Sequence, residues 1–349
     1  MTLYPEHAMT LERDFDLRRF SLANLTVGRI PQTELIEAAA EAGFGAVGLL
    51  IMTATPQPLE HELIGNPAAI RETKAALRSN GIRAFDIEAF VLSPDTDLAR
   101  FRTAMALGAE LGATHLSAIG TQWPAGFPAA GAQPSSGSTG LSAGDAQPSS
   151  SMSLSAAGMQ SSSGTGLSTA DTQPSPGAGL LGDEQRVELF ARLCDQAAEF
   201  GLTVGVEFML YRDIRDWRDA SRMIEAAGRR NAGLIIDTLH FFRAGSRPSD
   251  LDGIPADHIA YAQLSDCVAA APDIAGLPAE ARGARLHPGQ GVIPLREIIE
   301  RLPAGIQMVI ETPVESERAW SARERARSAA EHARRFFLRS RPAERRAAS

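Results

Sequence analysis

Residues 200–207 read Phe200-Gly201-Leu202-Thr203-Val204-Gly205-Val206-Glu207. A helical pattern stops at a glycine, the residue that best tolerates the left-handed conformation closing a helix. An apolar, β-branched run starts at once and ends on an acid. The same join recurs at Asn80-Gly81-Ile82, and Gly43, Gly112 and Gly228 end further helical stretches. Working outward from this unit, eight strand candidates appear: Phe20–Val27, Ala46–Ile51, Ala84–Leu92, Thr114–Ile119, Thr203–Phe208, Gly233–Asp237, Ile259–Leu264 and Met308–Glu311. Amphipathic stretches lie between them, among them Gln32–Ala42, Ala68–Asn80, Leu98–Leu111, Gln185–Phe200 and Trp217–Ala227, and the last is Ser321–Phe337. Regular strand–helix alternation predicts a parallel sheet. Eight units in roughly 290 ordered residues suit a closed (β/α)8 barrel. An open, doubly wound sheet would need a Gly-rich first turn for a nucleotide, and Ala23-Asn24-Leu25-Thr26-Val27-Gly28 is not one.

One segment interrupts the alternation after strand four. Residues 124–182 are mostly Ser, Gly, Ala, Thr, Gln and Pro, nearly uncharged, without an aromatic after Phe127. Gly140-Leu-Ser-Ala-Gly-Asp-Ala-Gln-Pro-Ser-Ser returns as Gly166-Leu-Ser-Thr-Ala-Asp-Thr-Gln-Pro-Ser-Pro. Such a composition buries too little apolar surface to offset its ordering entropy, so a disordered Ser/Gly/Ala-rich insertion is expected. Long loops are tolerated because closure entropy grows only logarithmically with length. The expected layout is an N-terminal tail over 1–18, a barrel over 19–338 carrying the insertion, and a C-terminal tail over 339–349.

The chain has 349 residues, 44% of them hydrophobic and 22% charged, with a net charge of -8. An acidic surface argues against nucleic acid, which needs a basic footprint. Basic residues between Arg318 and Arg346 are interspersed with acidic and small ones, as on a solvated helix face. No apolar run approaches the ~20 residues that cross a bilayer. Residues 1–19 lack the basic-then-apolar pattern of a secretory signal, so a cytoplasmic protein acting on a small molecule is expected, with no membrane partner and with homo-oligomerisation left open. Cys194 and Cys267 form no CxxC pair and no disulfide framework.

In such barrels the chemistry sits at the C-terminal ends of the strands. Strand five ends Val206-Glu207, strand six Ile236-Asp237, strand seven Ala262-Gln263-Leu264-Ser265-Asp266 and strand eight Ile310-Glu311. A single strand-end acid is usually solvated or caps the next helix. Three acids and an amide converging on one rim would repel unless a cation sat among them. Oxygen donors without thiolates suit a hard or borderline divalent ion: Mn²⁺, Co²⁺ or Mg²⁺, with Zn²⁺ also compatible.

The motifs Val206-Glu207, Ile236-Asp237-Thr238-Leu239-His240, Gln263-Leu264-Ser265-Asp266 and Ile310-Glu311-Thr312-Pro313 resemble the xylose isomerase-like TIM-barrel superfamily, also called the sugar phosphate isomerase/epimerase family. The resemblance runs over nearly the whole chain apart from the insertion and both tails. It implies a single metal ion held by Glu207, Asp237, Gln263 and Glu311, with Glu207 and Glu311 as an acid/base pair. The family usually has His where Gln263 stands; some of its lyases, the dehydroshikimate dehydratases, resemble this chain in having Gln. The resemblance also implies substrate contact by His240 and by a basic residue upstream of Pro288-Gly289-Gln290-Gly291, for which Arg285 is the candidate. Arg285 offers forked donors suited to a carboxylate or phosphate. Glu88, in Asp86-Ile87-Glu88, faces either the same rim or the barrel interior according to strand phase, and His115 starts strand four, at the wrong end for catalysis.

The implied activity is metal-dependent isomerisation or epimerisation of a small sugar, polyol or keto acid through a metal-stabilised enediolate. A dehydratase of the 3-dehydroshikimate type shares the first half of that reaction. A metal-free binding or regulatory barrel is the alternative of another class. Phosphodiester cleavage at abasic DNA, also found in the superfamily, needs a His-rich zinc cluster, and the chain's 7 histidines are scattered.

Overall fold

The Phe200-Gly201-Leu202 join introduces a strand at Thr203–Glu207, and helices ending at Gly43, Gly81 and Gly228 precede other strands in the same way. The computed structural model describes residues 15–53, 59–122 and 180–338. Eight parallel strands close into a barrel in chain order: β1 Phe20–Leu22, β2 Ala46–Leu50, β3 Arg83–Val91, β4 His115–Ile119, β5 Thr203–Glu207, β6 Ala232–Asp237, β7 Ile259–Leu264 and β8 Met308–Ile310. Pairing of β1 with β8, Ser21 opposite Val309, shuts the barrel. The predicted TIM-barrel architecture is the observed one. The expected insertion and both tails fall mainly outside the described residues.

The helices form where apolar residues recur at helical spacing. Trp217–Ala227 buries Ala220, Met223, Ile224 and Ala227 on one face, and Asp216 caps its start by accepting from the Arg218 and Asp219 amides. That cap contributes about 1 kcal/mol, and each large buried side chain on the face about 1.5–3 kcal/mol. An Asp at Ile224 would put an uncompensated charge into this face and break it. Ala322–Leu338 lays Ala326, Ala329, Ala330, Ala333, Phe336 and Phe337 inward. Its opposite face is polar, and Arg323 reaches Glu37 at 2.9 Å and also pairs with Glu41. The basic C-terminal stretch is, through residue 338, a solvated helix face as expected. Inside the barrel Ala23, Ala46, Phe85, Ile235, Tyr261 and Val309 make a separate packed layer. Among the described residues no helix is long and apolar enough to cross a membrane.

Two strand boundaries differ from expectation in ways that shape the rim. β1 stops at Leu22, and Asn24–Val27 turns helical before Gly28. The cause is Thr26: its hydroxyl donates to the Ile310 carbonyl at 3.1 Å and accepts from the Thr312 amide at 2.9 Å, pulling the segment across the end of β8. Glu311 lies just past β8, its amide donating to the Leu264 carbonyl at 3.1 Å.

Candidate active site

Register carries the strand-end residues to one rim. Asp237 lies opposite Gln263, and Gln263 opposite Val309, so Glu207, Asp237, Gln263 and Glu311 share one end of the barrel. Asp237 ends β6 and caps the short Thr238–Arg243 helix, its Oδ1 accepting from the His240 amide at 3.0 Å. That turn aims the His240 ring back over the barrel, with Nε2 3.6 Å from Glu207 Oε1. Tyr211 meets the ring edge-on, centroids 5.8 Å apart. Carboxylate oxygens of Glu207 and Asp237 and a ring nitrogen of His240 all lie within 4.8 Å of one another. The closest-set potential ligands therefore include His240, which the sequence placed on the substrate side.

Glu311 is held apart by an arginine. Arg285, only 2% exposed, places Nη1 2.6 Å from Asp237 Oδ2 and Nη2 3.1 Å from Glu311 Oε2. Nη1 also lies 3.2 Å from the Ser265 hydroxyl, and Nε donates to the Ala281 carbonyl at 2.7 Å. Its expected role was an open anion-binding arginine; here its donors are engaged with the acids themselves. Gln263 Oε1 is buried and accepts no hydrogen bond among the described residues. Glu88 is half-buried and accepts from Asn24 Nδ2 at 2.8 Å. Tyr261 donates to Asp86, a buried acid one turn of the pleat below Glu88, at 3.4 Å.

The electrostatics follow from burial. Desolvation, then the neighbouring Asp237 charge, pushes Glu207 up to about 8. Desolvation and Asp86 push Glu88 up to about 8, and desolvation lifts Asp86 to about 7. Glu311 is raised well above the carboxylate range, by burial first, despite Arg285. Asp237 is the exception. Burial works to raise it, yet Arg285 and His240 outweigh burial and hold it at about 2. Burial lowers His240 to about 4, so its ring is neutral and free to ligate or to hydrogen-bond. Like charges 4 Å apart cost about 4 kcal/mol at an effective dielectric of 20. The guanidinium groups of Arg285 and Arg212 do not balance Asp86, Glu88, Glu207, Asp237 and Glu311, so the cluster calls for protons or a further cation.

The segment carrying Arg285 is fixed by Asp266, which the sequence marked only as part of a motif. Its buried carboxylate accepts four backbone amides: Cys267 at 2.9 Å, Gly289 at 3.1 Å, Gly291 at 2.9 Å and Ile293 at 2.9 Å. Asp266 and Leu286 also exchange backbone hydrogen bonds at 2.8 Å. A Cβ on Gly291 would stand 2.1 Å from the Cys267 carbonyl, so only glycine lets the loop close on Asp266. His287 points away from the acids, its Nε2 2.8 Å from Glu317 and its ring stacked on His332 at 4.3 Å. His115 packs on Phe85 and Tyr261, as a structural residue would. Both cysteines are buried, and desolvation pushes each thiol up to about 12, which removes a thiolate nucleophile. A cavity of about 400 Å³ between Ser93–Ala99 and Leu189–Arg192 is lined by none of the rim acids.

The family description "xylose isomerase-like TIM barrel" matches residues 167–340. The chain belongs to the xylose isomerase-like TIM-barrel family. Within it, the chain is 30% identical over 113 residues to a 3-dehydroshikimate dehydratase of Pseudomonas aeruginosa, a match covering 32% of this chain and 17% of that protein. It is 30% identical over 82 residues to an inosose isomerase of Halalkalibacterium halodurans, covering 23% of this chain and 29% of that one. The chain thus spans a small part of the curated relatives it matches. The crystal structure of the IOLI protein with a bound zinc atom superimposes with a TM-score of 0.65 at 13% identity, covering 91% of this chain and 97% of that one. This last likeness is one of fold. The curated relatives of this xylose isomerase-like barrel are enzymes, an isomerase and a dehydratase.

Proposed function

We propose that this xylose isomerase-like barrel is a divalent-metal-dependent isomerase or epimerase that enolises a small sugar, polyol or keto acid. The observation that carries the reading is Gln263 Oε1, buried and without a hydrogen-bond partner among the described residues, opposite Asp237 of the closely set Glu207, Asp237 and His240. A buried carbonyl oxygen without a donor costs about 1–3 kcal/mol, and a cation among these oxygens removes that cost. The donor set fits a hard or borderline divalent ion, with Glu207, Asp237, Gln263 and Glu311 to hold it and His240 within reach. When bound, the ion supplies positive charge beside a substrate carbonyl and acidifies the adjacent C–H.

The chain's own residues do the rest. Glu207, ending β5, and Glu311, just past β8, lie on the same rim, one to take the proton and the other to return it. His240, neutral and held edge-on by Tyr211, donates or accepts at a substrate hydroxyl. The packed interior layer beneath closes the floor to water. A second reading has its own support: the Gln263 amide where the family usually has His, together with the identity to 3-dehydroshikimate dehydratases. A dehydratase shares the enolisation and then expels a β-hydroxyl. NMR in deuterated solvent over a panel of ketoses, inososes and dehydroshikimate separates them. Deuterium uptake with isomer formation supports the first reading, water loss the second, and neither on any substrate removes both.

A further inference from the structure

Arg285 stands where a metal-dependent barrel would need room for charge. Its two terminal nitrogens bridge Asp237 and Glu311 at 2.6 and 3.1 Å, the very acids that the metal reading calls ligands. The guanidinium is not a passing surface contact. It is 2% exposed, and Nε is tied to the Ala281 carbonyl at 2.7 Å, while the main chain on its C-terminal side is locked by the Leu286–Asp266 pair. Of the five rim acids, Asp237 takes a short bridge from it, while the Glu207 carboxylate meets the Ser117 hydroxyl at 3.4 Å and His240 Nε2 at 3.6 Å. Charge compensation in this arrangement is thus uneven: Arg285 bridges Asp237 and Glu311 directly, while Arg285 and Arg212 act on Glu207 electrostatically.

We propose that Arg285 is a built-in cation that holds Asp237 and Glu311 in place in the metal-free protein and competes with the divalent ion for them. This rests on the metal reading above and adds to it that the chain's own guanidinium sets how tightly the ion binds. The argument is one of charge and space. Two cations sharing two carboxylates repel across a few ångströms of low-dielectric interior, so each weakens the other's hold. The bidentate reach of the guanidinium spans both acids at once, which the single ammonium of lysine does not. Without either cation, two buried carboxylates face each other unpaired, an arrangement that strongly destabilises a fold. Arg285 therefore keeps the rim assembled between metal-loading events, at the expense of affinity.

Calorimetric titration of chelator-stripped protein with Mn²⁺ tests this directly, using the full chain, Arg285→Met and Arg285→Lys. Arg285→Met is expected to bind Mn²⁺ about tenfold or more tighter than the parent, and Arg285→Lys to fall between them. Thermal melts supply a second readout: stripped Arg285→Met melts well below the stripped parent, and saturating Mn²⁺ recovers more of that loss than it adds to the parent. Should Arg285→Met not fold, Arg285→Lys carries the same comparison, because it keeps the charge and gives up the bridge. Equal or weaker Mn²⁺ binding by the variants, with the parent binding normally, overturns the competition and leaves the metal reading standing. Absence of Mn²⁺ binding by the parent and by every folded variant overturns the metal reading and this inference together.

Discussion

The strands β1–β4 end on Leu22, Leu50, Val91 and Ile119; β5 and β6 end on Glu207 and Asp237, and β7 and β8 end on Leu264 and Ile310 with Gln263 and Glu311 beside them. The backbones of the two half-barrels are alike, each strand pairing in parallel with the next. Their rims are not. The first half closes the barrel with apolar strand ends and sets two acids, Asp86 and Glu88, within β3. The second half carries the oxygen donors, the His240 turn and the Arg285 loop, and it is the half that the family description matches, residues 167–340. Scaffold and rim are separable along the chain: closure needs all eight strands, while Glu207, Asp237, Gln263 and Glu311 come from the last four strand ends.

The largest expected effect lies in the second half. Glu207→Gln and Glu311→Gln, each saturated with metal, should lose at least about a hundredfold in kcat while keeping the wild-type melting profile, because an amide retains the shape and cannot exchange a proton. More than about a tenth of wild-type kcat in either variant, a loss under roughly 1.4 kcal/mol, would move the proton-carrying role elsewhere on the rim and blur the contrast between halves. Asp266→Ala comes next. It strands four backbone amides in the loop that fixes Arg285, and denaturant unfolding should register a loss of about 3 kcal/mol. Loss of stability without any rise in KM would confine Asp266 to the scaffold.

A smaller effect probes the first half. Glu88 sits at about 8 in the fold against an ordinary value near 4.5. A carboxyl raised in this way contributes stability that is present below about 4.5 and lost as pH climbs through about 8. Stripped Glu88→Gln should therefore lose less melting temperature between pH 5 and pH 8 than the stripped parent does. Identical slopes would place Glu88 in water rather than in the acidic cluster. The smallest effect belongs to the segment outside both halves. Deleting 129–179 should leave the melting temperature and the metal affinity unchanged, since its Ser/Gly/Ala-rich composition, with a few scattered Leu and Met, offers too little to build a core. A clear drop in either would tie the segment to the barrel.

Most of the barrel was legible because its signals are local: helical patterns closing on glycines and short β-branched runs following them, repeated along the chain. Asp237-x-x-His240 was legible for the same reason, since one helical turn sets its geometry. Arg285 was not. It is 22 positions beyond Gln263, and its place depends on Asp266 gathering the amides of a distant loop, a closure that no periodicity encodes. Glu88 resisted because β3 pairs irregularly on both sides, with register shifts between Val47 and Gly48 and between Ile87 and Phe90, so alternation cannot assign its face. β1 was read too long because the Thr26 hydroxyl bends the chain through partners some 280 residues away.

The account turns on a cation among the second-half donors. Metal content of the purified protein, followed by titration of the stripped chain with Mn²⁺, tests it most directly. The account predicts about one divalent ion per chain and a rise in melting temperature on adding it back. A protein that carries no metal, and that neither binds nor is stabilised by Mn²⁺, Co²⁺, Mg²⁺ or Zn²⁺, would contradict it and leave a metal-free barrel whose acids are balanced by Arg285 and protons.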